Sequence, residues 1–135
     1  MQINKFILKN HQQKNNWLDK PWSLDYNINM KEILTYKTPD GKCPFDIWLN
    51  NLDNSMKVRV SKRMERVVEG NYGDCKKIDN DISELRFKFG AGYRIYFTEV
   101  ENIIVVLLCG GDKSTQSKDI EKAKEYLQDL KERNK

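Results

Sequence analysis

Residues 83–113 read SELRFKFGAGYRIYFTEVENIIVVLLCGGDK, and their pattern predicts three consecutive β-strands. Polar and apolar residues alternate on both sides of Gly90-Ala91-Gly92, which is typical of two half-buried strands joined by a short hairpin loop. Residues 102–109 are almost continuously apolar and begin with β-branched residues, which indicates a central strand covered on both faces. Gly110 and Gly111 then turn the chain out of the sheet and bring Lys113 to its edge.

The predicted hairpin separates its side chains onto two faces. A three-residue loop places Lys88 opposite Arg94 and Arg86 opposite Tyr96. The apolar face is expected to meet the core and carries Leu85, Phe87, Phe89, Tyr93, Ile95 and Phe97. The other face carries Glu84, Arg86, Lys88, Arg94, Tyr96 and Thr98. Because like charges opposite each other are destabilising, this second face either holds an anion between its cations or is simply solvated.

The remaining signals between residues 30 and 135 add one strand and three helices. Residues 30–36 suit a strand, and residues 44–52 and 56–67 carry apolar side chains at helical spacing. Residues 71–79 form a polar loop, and residues 114–130 suit a last helix. The chain is therefore predicted to be an α+β domain. Its sheet is expected to be four-stranded and mainly antiparallel, with two N-terminal helices on one face and a C-terminal helix.

Residues 1–29 differ in composition from the rest of the chain. They contain six Asn and three Gln, and no sustained hydrophobic period appears. Such a segment buries little surface, so we predict a poorly ordered leader or an over-called N-terminal extension, followed by a domain at residues 30–135. An alternative is a docking arm that uses Trp17 and Trp22.

The overall composition sets limits on the class of protein. The chain has 135 residues and a formal charge of +4, which is compatible with a nucleic-acid partner without requiring one. Its three cysteines are far apart, which favours reduced thiols in the cytoplasm over disulfides or a zinc site. No run of about 18 apolar residues is present, so no membrane span is predicted. Cytoplasmic localisation is the expectation.

The inventory of reactive side chains favours phosphodiester chemistry. The single histidine is His11, in the leader, so residues 30–135 hold no Ser-His-Asp, Cys-His or His-metal arrangement. No cofactor or metal is predicted. The remaining groups are cations with Tyr93 and Tyr96. RNA supplies its own nucleophile, the 2′-hydroxyl, and Arg grips phosphate oxygens while Lys or Tyr transfers protons.

Several motifs of this chain occur in the order and at the separations found in a known family. They are residues 31–33 (KEI), 36–38 (YKT), 48–49 (WL), 70–76 (GNYGDCK), 84–86 (ELR), 90–97 (GAGYRIYF) and 107–116 (LLCGGDKSTQ). Together they resemble the RelE/ParE superfamily. Within it they are most similar to the HigB-like "addiction module killer" branch of type II toxin–antitoxin toxins.

The resemblance implies a RelE-like fold and a ribosome-dependent mRNA endonuclease. Such a toxin enters the ribosomal A site, and a cognate antitoxin, often a helix-turn-helix protein, holds it inactive. Arg94 and Lys113 match the family's functional basic positions. The predicted catalytic residues are Arg94, Arg86, Lys113 and Lys76, and the predicted RNA-binding residues are Lys77, Lys88, Tyr96 and Gln116. The family's late tyrosine has no counterpart here, since its position falls near Asp119.

Two other functions share the expected fold, and the fold does not choose between them. One is a ParE-like toxin that binds and poisons DNA gyrase without cleaving nucleic acid itself. The other is an inactive relative that only binds its antitoxin. A clustered face of Arg86, Arg94 and Lys113 favours cleavage, because a gyrase poison needs no phosphate pocket there.

Overall fold

The computed structural model describes residues 30–134, so the predicted leader at residues 1–29 lies outside the described part of the chain. The described elements are β1 (Glu32–Thr35), α1 (Pro44–Asn50), α2 (Asn54–Val68), β2 (Cys75–Lys77), β3 (Ser83–Arg86), β4 (Arg94–Val100), β5 (Ile104–Gly111) and α3 (Gln116–Arg133), with a 3-10 turn at Lys113–Thr115. This set of helices and strands confirms the α+β class.

The sheet differs from the prediction in having five strands. Its order is β1-β5-β4-β3-β2, in which β1 runs parallel to β5 and the other neighbours are antiparallel. The additional strand β2 falls in the segment predicted to be a polar loop. All three of its residues are exposed, so it shows no alternation of polar and apolar residues. It forms through backbone pairing with β3, which places Lys76 opposite Glu84.

The register of the hairpin is also different from the predicted one. Arg86 lies opposite Arg94, and Glu84 lies opposite Tyr96. Strand β3 ends at Arg86, and the connection at residues 87–93 is longer than three residues. Within it, the Gly92 N–H donates to the Phe89 carbonyl at 3.1 Å. A shift of two residues leaves the strand residues on their predicted faces. Phe89 was expected to meet the core, but it lies in the connection beyond the end of β3 and is exposed.

Two apolar cores lie on opposite sides of the sheet. The first is shared with α1 and α2 and contains Phe45, Met56, Val60, Val67, Leu85, Phe87, Ile95, Phe97, Val105 and Leu107. This confirms the predicted position of the two N-terminal helices. The second core lies under α3 and includes Tyr96, Leu108, Ala123, Leu127 and Leu130. The face of the hairpin predicted to be open is therefore covered by α3, and Thr98 is buried.

The local signals at the helix starts explain how the chain enters α2 and α3. The Asp53 side chain accepts a hydrogen bond from the Met56 N–H at 2.8 Å and so caps the N-terminus of α2. The Asp112 side chain accepts from the Ser114 N–H at 2.8 Å. Asp112 thereby fixes the exit from β5, at the point where Lys113 leaves the sheet.

Among residues 30–134, no helix is both long enough and apolar enough to cross a membrane.

Candidate nucleic-acid interface

Three cations come together where the hairpin loop meets the end of β5. Arg86 lies opposite Arg94 across β3 and β4, and Arg94 lies opposite Gly111 of β5. A Cβ atom placed on Gly92 would lie 3.4 Å from Lys113 Cβ and 3.6 Å from Arg94 Nη1. The two side chains therefore flank the same glycine. Arg86, Arg94 and Lys113 are called the cationic cluster below.

Lys113 is attached to the hairpin loop through its backbone. Its N–H donates to the Ala91 carbonyl at 3.2 Å, while Arg94 Nη1 donates to the Gly92 carbonyl at 3.1 Å. Gly92 has φ +75°, a left-handed conformation that glycine adopts without strain. The loop conformation thus brings Lys113, which follows the end of β5, beside Arg94, the first residue of β4.

A buried carboxylate holds Arg94. Glu84 is fully buried, and its Oε2 lies 3.3 Å from Arg94 Nε. Gln116 Nε2 donates to the same oxygen at 2.9 Å. The Arg94 side chain is 13% exposed, so the pair is mostly shielded from solvent. Removal of Arg94 is therefore expected to destabilise the fold, because it leaves the buried Glu84 without its partner.

Arg86 is fixed by a second, more exposed carboxylate. Its Nη2 and Nε lie 2.9 Å and 3.2 Å from the same oxygen of Asp74. The Arg86 N–H also donates to the Asp74 carbonyl at 2.9 Å. The two side chains are 38% and 33% exposed, which leaves the Arg86 guanidinium accessible to a ligand.

Arg63 of α2 organises the backbone next to this pair. Its guanidinium donates to the carbonyls of Tyr72, Asp74 and Arg86 at 2.8–2.9 Å. Burial lowers the pKa of the Arg63 guanidinium below its ordinary value. Arg63 was not among the predicted site residues. The signal was available, because Arg63 follows Val60 by three residues and precedes Val67 by four, which places all three on one face.

The predicted lysines are exposed but are not equally close to the cationic cluster. Lys76, Lys77, Lys88 and Lys113 make no ion pair with any other residue of the described chain. Lys76 lies opposite Glu84, on the same face as Arg86. Lys77 follows it on the strand, so its side chain leaves the opposite face. Lys88 lies in the hairpin connection.

Two residues predicted to bind RNA point inward instead. Tyr96 is fully buried under α3, so its side chain does not reach a ligand at the surface. Burial and the charge of Glu84 raise the pKa of the Tyr96 hydroxyl, which keeps that group neutral. Gln116 turns its amide toward Glu84. The two predictions fail for one physical reason. Helix α3 covers the face of the sheet that the strand pattern left open.

Asp119 lies at the position where the resemblance leaves the late tyrosine unmatched. The Thr115 hydroxyl donates to Asp119 Oδ2 at 2.5 Å. A Cβ atom on Gly111 would lie 1.8 Å from that oxygen, so only glycine fits between β5 and Asp119. Burial raises the pKa of the Asp119 carboxyl. Asp119 therefore packs beside the strand position opposite Arg94.

The donor set of this site suits phosphate. Arginine guanidinium groups bind phosphate oxygens in a bidentate manner, and Lys113 adds a point charge beside them. Across residues 30–134, no group of three or more His, Cys, Asp or Glu side chains is arranged to hold a metal ion.

Comparison with known proteins places the chain in a family. A family model described as "Phage derived protein Gp49-like (DUF891)" matches residues 47–129. The chain belongs to the Gp49-like family. The match begins within α1 and ends within α3, so it includes the whole cationic cluster and the carboxylates Asp74 and Glu84.

The Gp49-like chain is also similar to a protein of Haemophilus influenzae. The two are 47% identical over 87 residues, which cover 64% of this chain and 88% of the relative. That relative is described as an uncharacterized protein, so it adds no activity.

Proposed function

We propose that this Gp49-like protein is the toxin of a type II toxin–antitoxin module and that it cleaves mRNA on the ribosome. Membership of the Gp49-like family, which is type II toxin-like, supports the first part. The second part is supported mainly by the position of Arg94 and Lys113 beside Gly92, with Arg86 opposite Arg94 on the neighbouring strand. We also propose that the family is a branch of the RelE/ParE superfamily with a RelE-like fold.

The proposed reaction uses the nucleophile that RNA carries. The 2′-oxygen attacks the adjacent phosphorus, and the bond from phosphorus to the 5′-oxygen breaks. The products are a 2′,3′-cyclic phosphate and a free 5′-hydroxyl. The 2′-hydroxyl loses its proton to a base, and the departing 5′-oxygen gains one. Negative charge develops on the phosphorane oxygens, and positioned cations stabilise it most.

The arginines of the cationic cluster are oriented before any substrate arrives. Glu84 and the Gly92 carbonyl fix Arg94, while Asp74 fixes Arg86. Such preorganisation lowers the cost of reorganisation in the transition state. Arg94 is proposed to contact the reacting phosphate. Arg86 exchanges part of its contact with Asp74 for a phosphate oxygen, which its exposure permits.

The exposed lysines are the proposed proton-transfer and RNA-binding groups. Lys113 lies beside Arg94, and its exposed amine is the proposed proton-transfer group. Lys76 shares the face of Arg86 and extends the path of positive charge, and Lys88 extends it along the loop. Tyr96, being buried and neutral, has no place in this scheme.

The proposed partners follow from this reaction and from the resemblance to type II toxins. They are the ribosome with its mRNA, and a cognate antitoxin of the helix-turn-helix type that keeps the toxin inactive. The proposed location is the cytoplasm, where translation occurs.

Toe-printing of ribosomes translating a defined message tests the proposal. With the protein present, we expect a new 3′ boundary inside the A-site codon, and end analysis should find a 5′-hydroxyl on the downstream fragment. Without ribosomes, the same message should stay intact. An unchanged toe-print at a protein concentration that stops growth would contradict the proposal. In that case, gyrase–DNA complexes trapped in cells that express the protein would indicate a gyrase poison.

A further inference from the structure

Phe89 is a large apolar side chain left at the surface of the hairpin tip. It is 47% exposed and belongs to neither apolar core. The guanidinium carbon of Arg59 lies over its ring, 3.5 Å from the centroid. A cation stacked on one face of an aromatic ring fixes the orientation of that ring without burying it. The result is a half-exposed aromatic surface held by α2.

The backbone that carries Phe89 is tied to the cationic cluster. The Phe89 carbonyl accepts a hydrogen bond from the Gly92 N–H, and the Phe87 N–H donates to the Tyr93 carbonyl at 2.9 Å. The Tyr93 ring packs edge-on against Trp48, with centroids 6.4 Å apart. The same short connection therefore fixes Phe89 on one side and abuts Arg94 and Lys113 on the other.

We propose that Phe89 and Arg59 form a stacking platform for one base of a single-stranded RNA, next to the nucleotide whose phosphate the cationic cluster binds. This inference rests on the proposed function, since it names how the same site holds its substrate. Single-stranded bases stack on aromatic rings and on arginine planes, and every base offers such a face.

The charges around Phe89 favour RNA over an apolar protein surface. Its flanking cations, Arg59 and Lys88, are both exposed, and neither forms an ion pair within residues 30–134. An aromatic ring between unpaired cations combines the two elements of a single-strand binding site, stacking and attraction to phosphate. A protein groove would bring several apolar neighbours. Of the other exposed large apolar residues, Ile47 and Ile103 lie on other elements, and only Val58 shares α2 with Arg59.

The test measures the affinity of the full chain for ribosomes programmed with a message whose A-site codon carries 2′-deoxy sugars, which block cleavage. Phe89→Leu keeps an apolar side chain and removes the ring, and Phe89→Trp keeps a ring. We expect Phe89→Leu to weaken binding about tenfold, in line with measured stacking contributions. Phe89→Trp should stay within about twofold of the wild type, because it still stacks. Ile103→Ala, an exposed apolar change in the turn between β4 and β5, should have no effect.

An abasic sugar at each position of the A-site codon identifies what Phe89 contacts. At one position, we expect the wild-type protein to lose about tenfold in affinity and Phe89→Leu to lose nothing further. Equal affinities of Phe89→Leu and wild type overturn the inference, provided both melt at the same temperature. Additive losses at every position also overturn it, because the ring then contacts protein or ribosomal RNA.

The outcome is separable from that of the proposed function. Cleavage is scored on the all-ribose message, so stacking without cleavage would overturn the proposed nuclease activity alone. Cleavage with no effect of Phe89→Leu would overturn the stacking platform alone. Failure of the wild-type protein to bind programmed ribosomes would overturn both.

Discussion

Arg94→Ala is expected to slow single-turnover mRNA cleavage by about 10²- to 10³-fold, the usual cost of removing one donor that stabilises charge in a transition state. The same change should lower the free energy of unfolding by about 3–5 kcal/mol, because it leaves a buried charge without its partner. That charge is Glu84, whose side chain is fully buried and 3.3 Å from Arg94. One substitution therefore affects both catalysis and stability, for two different reasons.

A second variant separates the two effects. Glu84→Gln keeps the shape of the side chain and an oxygen that accepts from Gln116, but removes the charge. In the Arg94→Ala background, it should restore most of the lost stability in urea denaturation and none of the cleavage rate. An Arg94→Ala protein as stable as the wild type would contradict the structural role of the pair. Recovery of cleavage in the double variant would contradict the role of Arg94 in the reaction.

Gly110→Ala is expected to lower the free energy of unfolding by about 3 kcal/mol, at the upper end of typical overpacking effects. A Cβ atom there would lie 2.3 Å from Trp48 Cδ2. The indole cannot retreat easily, because it packs between Phe45 and Tyr93 with centroids 5.8 Å and 6.4 Å away. A displaced Trp48 would also disturb Tyr93 at the base of the hairpin loop.

A double-mutant cycle identifies the contact responsible. In a Trp48→Leu background, Gly110→Ala should cost less than about 1 kcal/mol, because the clash has been removed. Both costs are read from urea denaturation of the full chain. The same cost in both backgrounds would mean that the glycine is needed for its backbone and not for the approach of Trp48.

The sequence pattern predicted what depends on local periodicity. Alternation assigned Leu85 and Ile95 to the face that meets α1 and α2, and the structure agrees. Helical spacing likewise predicted the two helices whose apolar sides bring Phe45 and Val60 into the core. The register was not predictable in the same way, since a shift of two residues leaves the alternation unchanged and depends on the loop conformation. Strand β2 was not predicted because its residues are all exposed and therefore show no alternation of polar and apolar side chains.

The candidate site, like the fold, was predictable only where it depends on local sequence pattern. Strand phase placed Arg86 and Arg94 on one face of the hairpin, but the predicted register set Arg94 opposite Lys88 and not opposite Arg86. Gly110 and Gly111 belong to β5 instead of turning the chain out of the sheet, and Lys113 follows at the end of that strand. The partner of Arg94 was hidden, because Glu84 is one more polar residue in an alternating strand. Its burial depends on α3, which begins 32 residues later at Gln116. Tyr96 was misassigned for the same reason, since only packing of α3 covers it.

The most direct measurement is the single-turnover cleavage of an A-site codon at saturating ribosomes, comparing Lys113→Ala with Lys62→Ala. Both remove one exposed lysine, but Lys113 belongs to the cationic cluster and Lys62 lies on α2. Lys113→Ala is expected to lower the rate about 100-fold, as for a group acting on charge or proton transfer in the transition state. Lys62→Ala should leave the rate of bound protein unchanged. Equal losses of rate in the two variants would contradict the assignment of the cationic cluster as the active site.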